Sequence, residues 1–229
     1  MQRGLQILMA LLMIAAIYCT FRYRVLPSST TGVKDTKVIV IDPGHGGDDP
    51  GKVGINGELE KEINLAISMK LKEYLEKEGY VVVLTREDDR GLYGENDKNK
   101  KVADMKKRCQ IIEESHADIV VSIHQNSFSQ ESVCGAQVFY YESSEGGRIL
   151  AQKIQEAIKE HADEENDRAI KENSSYYMLV HTPCPTVIVE CGFLSNSKEA
   201  TLLSGEEYQT KIAKAVCEGV KTYFAMADE

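Results

Sequence analysis

From Lys37 to the carboxyl end, the sequence predicts one α/β domain, a mostly parallel twisted sheet with helices on both faces and its site at the C-terminal ends of the strands. Three observations predict it. Val38-Ile39-Val40-Ile41 is an unbroken apolar run halted by Asp42-Pro43-Gly44, the pattern of a strand buried on both sides. An amphipathic stretch follows, with Ile63, Ala66, Ile67, Leu71, Tyr74 and Leu75 on one stripe. Tyr80–Thr85 and Asp118–Ile123 then repeat the strand signal on either side of a second helical segment. Strands joined through helices make parallel sheets.

The remaining elements follow in order. The first helix stops at Gly79, since glycine readily takes the left-handed backbone of a helix end. A polar loop from Arg86 to about Asn96 leads into a basic helix ending near Ser115. Its charged run, Lys98 to Arg108, reads as a solvated helix face, because acidic residues are interleaved with it and follow it. Ala136–Tyr141 is β-branched and aromatic enough for another strand. Leu150, Ile154 and Ile158 recur at four-residue steps and predict a helix from about Glu145 to Glu160. Tyr176–Leu179 and Thr186–Val189 read as short strands, and Ile212, Val216, Val220 and Tyr223 mark a closing helix. There is no internal repeat.

Composition narrows the class. A formal net charge of -9 argues against a nucleic-acid partner, which calls for a basic face. At the amino end Arg3 precedes an apolar run from Leu5 to Tyr18, the pattern of an export signal. Residues 1–24 are therefore expected to be either a cleaved signal or an uncleaved membrane anchor, with residues 25–36 as a linker and 37–229 as the domain. Cysteines at 19, 109, 134, 184, 191 and 217 show no two-residue spacing, so isolated thiols are expected rather than a zinc ribbon or redox pair.

Three strand ends carry chemistry. The first runs into Asp42-Pro43-Gly44-His45-Gly46-Gly47, the third into His124-Gln125-Asn126-Ser127, and the late one into Glu190-Cys191-Gly192. Sites in open α/β sheets gather at these carboxyl ends, so His45, His124 and Glu190 make a candidate metal and acid–base centre. Catalytic zinc commonly takes three protein ligands and leaves a fourth position to water. Glu60, at the start of the long helix after a glycine-rich loop, is the best further ligand, with Glu58 and Glu62 as neighbours of the same type. Each element has a blander reading. A lone histidine is more often a hydrogen-bonded structural residue, and a glutamate at a helix start is favourable with the dipole alone. Glu190 is harder to dismiss, because an unpaired carboxylate among Val189, Cys191 and Phe193 costs several kcal/mol to bury. His116, His161 and His181 read as structural or surface residues, and Arg86 and Asn126 as loop anchors.

Taken in order, Asp42-Pro43-Gly44-His45-Gly46-Gly47, Glu60-Lys61, Ser122-Ile123-His124-Gln125-Asn126 and Val189-Glu190-Cys191-Gly192-Phe193-Leu194-Ser195-Asn196 resemble the zinc-dependent N-acetylmuramoyl-L-alanine amidases of type 3. The resemblance runs from Lys37 to the last helix. It implies His45, Glu60 and His124 as ligands of Zn2+, Glu190 as the catalytic glutamate, and peptidoglycan as the substrate; the Glu60-Lys61 pair selects Glu60 over its neighbours. A single catalytic domain behind an export segment, with Ser174-Ser175-Tyr176-Tyr177-Met178-Leu179, resembles the germination-specific branch found in spore formers. Some amidases work only with an activator protein, so such a partner is a further expectation. The competing readings are a wall-glycan deacetylase, which would need a paired-aspartate motif together with a histidine pair at helical spacing, a combination absent here, and a non-catalytic wall-binding regulator, which would have no reason to keep all four site residues.

Overall fold

The computed structural model describes residues 36–227. The expected export segment, most of the expected linker and Cys19 lie outside these residues. Six strands form one sheet in the order β2-β1-β3-β6-β4-β5: β1 (Val38–Pro43), β2 (Val81–Leu84), β3 (Ile119–Asn126), β4 (Gln137–Tyr140), β5 (Lys171–Glu172) and β6 (Thr186–Phe193). β1 runs parallel to β2 and β3, and β3 parallel to β6. β4 is antiparallel to β6, and β5 follows β4.

Helices α1 (Glu60–Lys77), α2 (Lys100–Glu114), α3 (Glu145–His161), α4 (Tyr177–His181), α5 (Ser197–Ser204) and α6 (Glu206–Ala227) complete the domain. The unbroken apolar run of β1 has its reason in the packing. Ile39 and Ile41 join the large core beneath α1, α3 and α6, whereas Val40 points the other way, to Ile112 of α2 and Met178 of α4. Both faces of the sheet are thus covered. Ile63, Ile67, Leu71 and Leu75 of α1 are buried, each contributing about 1.5–3 kcal/mol relative to exposure. Among the described residues no helix is long and apolar enough to cross a membrane.

Two expectations are corrected, and two elements were not foreseen. Tyr176–Leu179 is not a strand: Asn173 Oδ1 accepts from the N–H groups of Ser175 and Tyr176, turning the chain into the single helical turn of α4. Five residues are too few to display a period. β5 was not expected, because its two residues, Lys171 and Glu172, are exposed and charged, and only the edge of β4 makes them a strand. The closing helix stands as expected in α6, and α5 before it was not expected; the extended backbone of Gly205 separates the two. The Lys98–Arg108 run is not wholly solvated, for Arg108 is 1% exposed.

Candidate metal centre

β3 and β6 continue past their expected ends, so His124 and Glu190 belong to strands. They are paired neighbours in the parallel register, which fixes the two side chains side by side. His45 arrives from β1. Its φ of 62° is unusual for a residue with a side chain, and the backbone around it is held by two arginines. Arg108 donates to the carbonyls of Pro43 and His45 at 2.8 and 2.5 Å, and to Asp42 and Asp104 at 2.7 and 2.5 Å. Arg86 donates to the carbonyls of Pro43, Gly44, Lys61 and Asp88 and is the loop anchor expected of it. Glycine is required at two points of this loop. A Cβ on Gly44 would collide with the His124 imidazole, and one on Gly51, whose φ is +68°, would lie 2.6 Å from Glu60 Oε2 and 2.7 Å from His45 Cδ2.

Glu60 opens α1 and is 3% exposed. Its Oε2 accepts from Lys52 N at 2.7 Å, and its Oε1 from Gln125 N at 3.1 Å and Asn64 Nδ2 at 3.3 Å. The same Oε1 lies 2.9 Å from His124 Nδ1 and 3.2 Å from His45 Nε2. Burial alone would raise this carboxyl, but hydrogen bonds and charge from the two histidines outweigh it and hold Glu60 far below the usual carboxylate range. Burial likewise opposes charge on His45, yet Glu60 and Asp49 lift it to about 8. Asp49 Oδ2 accepts from His45 Nδ1 at 2.9 Å.

The ligating atoms of His45, Glu60 and His124 all lie within 4.8 Å of one another. Donors around one tetrahedral ion at about 2.0–2.2 Å stand about 3.4 Å apart, so this set can close on a single cation. The other His45 nitrogen already faces a carboxylate, the usual outer partner of a metal-bound imidazole.

Glu190 is 8% exposed, and its Oε2 is buried with no hydrogen-bond partner among the described residues. Burial pushes its pKa up to about 7, Glu60 adding to the rise while His124 and His45 oppose it. A buried carboxylate oxygen without a partner points to one that arrives from outside. His45, His124 and Glu190 line a cleft of about 560 Å³, together with the start of α2 and with Tyr176, Tyr177 and Ile188.

Beneath the site Asp42 is fully buried, accepting from Thr85 Oγ1 at 2.6 Å, Ser122 Oγ at 2.7 Å and Arg108. Burial would raise its pKa; the Arg108 guanidinium and the hydroxyl donors instead lower it to about 2. Sequence reasoning missed Asn64, Asp49 and Arg108. Asn64 sits four residues after Glu60 on the buried stripe of α1, and Asp104 stands four before Arg108, so both had a spacing signal. Asp49 had none beyond its nearness to His45. The Asn126 side chain accepts from Ser127 N and its carbonyl from Leu194 N, and His116, His161 and His181 do not line the cleft. Among the described cysteines, 109, 134, 184, 191 and 217 are all free thiols.

The comparisons with known proteins agree with one another. A family model described as N-acetylmuramoyl-L-alanine amidase matches residues 39–222. The germination-specific N-acetylmuramoyl-L-alanine amidase of Bacillus subtilis (strain 168) is 36% identical over 191 residues, covering 82% of this chain and 80% of that protein. Among solved structures, the CwlD amidase of Clostridioides difficile, in complex with the GerS lipoprotein, is 43% identical with a TM-score of 0.81. That match covers 83% of this chain and 100% of the other. An N-acetylmuramoyl-L-alanine amidase of Clostridium difficile 630 shows 31% identity and a TM-score of 0.75, over 83% and 97% of the two chains. With a family match along most of its length and relatives above 30% identity, this chain belongs to the N-acetylmuramoyl-L-alanine amidases, enzymes that detach peptide from the glycan of the bacterial cell wall.

Proposed function

We propose that the chain is a zinc hydrolase of the amide between N-acetylmuramic acid and L-alanine, with His45, Glu60 and His124 holding the ion and Glu190 moving the proton. The observation that carries this reading is the convergence of three donor atoms within 4.8 Å beside a buried carboxylate oxygen that lacks a partner. Bound there, zinc supplies the Lewis acidity that makes water nucleophilic near neutral pH, draws charge from the scissile carbonyl and favours the ionised form of Glu190. Glu190 accepts the proton of the attacking water at Oε2 and returns it to the leaving amine. Asp49 holds His45 Nδ1, which leaves Nε2 turned toward Glu60 and able to serve as the ligand atom. The cleft binds the substrate on either side of the bond and sheds water as it fills.

Residues 1–24 carry the chain across the cytoplasmic membrane, as a cleaved signal or as an anchor, residues 25–36 serve as the linker, and residues 37–229 act on the wall beyond. The Arg3-led apolar run supports this, as does the Staphylococcus aureus relative described as a probable cell wall amidase. The named activity of the Bacillus subtilis relative supports a role in the spore cortex, where removal of the stem peptide frees muramic acid for conversion to its lactam. The complex formed by the Clostridioides difficile relative supports an activator protein as a partner.

Glu190→Gln is the direct test of the chemistry. The variant should bind zinc at wild-type stoichiometry and release no stem peptide from purified peptidoglycan in muropeptide mass spectrometry. Turnover at the wild-type rate would remove Glu190 from the mechanism.

A further inference from the structure

Helix α2 begins against the ordinary electrostatics of a helix. Lys100 and Lys101 are its first two residues, no acidic residue stands in its first turn, and Lys98 precedes it. The N–H groups at a helix start already carry positive potential, so cations there cost stability. They also run against a chain whose net charge is -9. Charges that break a local rule without a structural return are found where a ligand is handled.

The two lysines line the same cleft as His45, His124 and Glu190. Lys100 is engaged, its Nζ 2.6 Å from Asp48 Oδ2 and 4.9 Å above the centre of the Tyr93 ring. Lys101 makes no ion pair within 4.0 Å among the described residues, although its charge is felt at Asp49. Tyr176, Tyr177, Met178 and Ile188 give another part of the lining an aromatic and apolar surface. The lining is therefore uneven, with Lys100 and Lys101 among Asp48, Asp49 and Asp104 where α2 begins and aromatic side chains at α4.

A muramoyl-peptide has the same asymmetry. One side of its scissile amide is a sugar with apolar ring faces; the other is a peptide with free carboxylates. We propose that Lys101 is a specificity-determining residue that binds a carboxylate of the peptide stem, directing the peptide toward α2 and the sugar toward Tyr176 and Tyr177. The assignment rests on the amidase reading given above. The nearest carboxylate is the free α-carboxylate of a second-position glutamate linked through its side chain. An unpaired ammonium at the wall of a cleft both attracts that group and fixes it.

The experiment compares hydrolysis, by the zinc-loaded full chain, of two synthetic muramoyl-peptides that differ only in bearing a carboxylate or a carboxamide at that atom. Wild type should show a KM about tenfold lower on the carboxylate with kcat alike, the size of one hydrogen bond to a charged group. Lys101→Ala should raise KM on the carboxylate to the value for the amide while zinc content and kcat are kept. Lys101→Arg should retain the preference, and Lys101→Glu should reverse it. Lys107→Ala, which removes an equal charge from a helix face outside the cleft, should change nothing. Cleavage of both substrates at equal KM by wild type, or a preference that survives Lys101→Ala, overturns the assignment and leaves the amidase reading standing. Cleavage of neither overturns both.

Discussion

Replacing Arg108 by methionine tests how the site is held from beneath. The guanidinium is 1% exposed, donates to Asp42, Asp104 and the carbonyls of Pro43 and His45, and lies below a loop whose histidine has φ of 62°. Methionine fills similar volume and supplies none of these bonds. Asp42 would keep Thr85 and Ser122 as donors but lose the cation that pairs with it directly. Removing one partner of a buried pair costs about 3–5 kcal/mol, because the other stays charged in a poor solvent. Denaturant unfolding of the full chain should show a loss of that size at unchanged m-value. The double variant Asp42→Asn/Arg108→Met should recover part of it, since no buried charge is then left alone. Zinc affinity of Arg108→Met should also fall, because the His45 carbonyl loses its donor and the left-handed turn its clamp. A loss under about 1 kcal/mol, with the double variant no better than the single, would refute the claim that this pair supports the loop.

Two further outcomes follow. Asp49→Ala should weaken zinc binding about 10–100-fold in a chelator competition while leaving thermal stability nearly unchanged, because Asp49 is half exposed and acts through the orientation of His45; unchanged affinity would reduce Asp49 to a loop residue. Asp42 has a folded pKa of about 2 against an ordinary value of 3.8, so the unfolded chain takes up its proton first as pH falls. The contribution, about 2 kcal/mol, is present above pH 4 and is lost as pH falls toward 2, and Asp42→Asn should flatten stability against pH in that window. Equal slopes for the two proteins would deny the shift.

The parts of the fold visible beforehand were those with long or unbroken patterns. Ile39–Ile41 and Val120–Ile123 are buried on both faces, so their strand signals carried the sheet and its parallel sense. The site followed from topology, because strands that end together bring His45, His124 and Glu190 to one edge. What was hidden depended on contacts remote in sequence. The pairing of His124 with Glu190 comes from strands that run on past their apolar segments, and no local signal separates a polar strand residue from a loop. Arg108 read as one more cation in a basic run because the carbonyls it holds lie some sixty-five residues away. Tyr176–Leu179 read as a strand because aromatic and apolar residues fit both, and Asn173 settled the matter by capping the turn.

The most direct measurement is a crystal structure of the zinc-loaded chain with anomalous data collected at the zinc edge. The expected result is one peak about 2.0–2.2 Å from His45 Nε2, Glu60 Oε1 and His124 Nδ1, with Glu190 beside it and no peak in crystals of His124→Ala. A zinc peak elsewhere, or the same peak retained without His124, would contradict the centre described here.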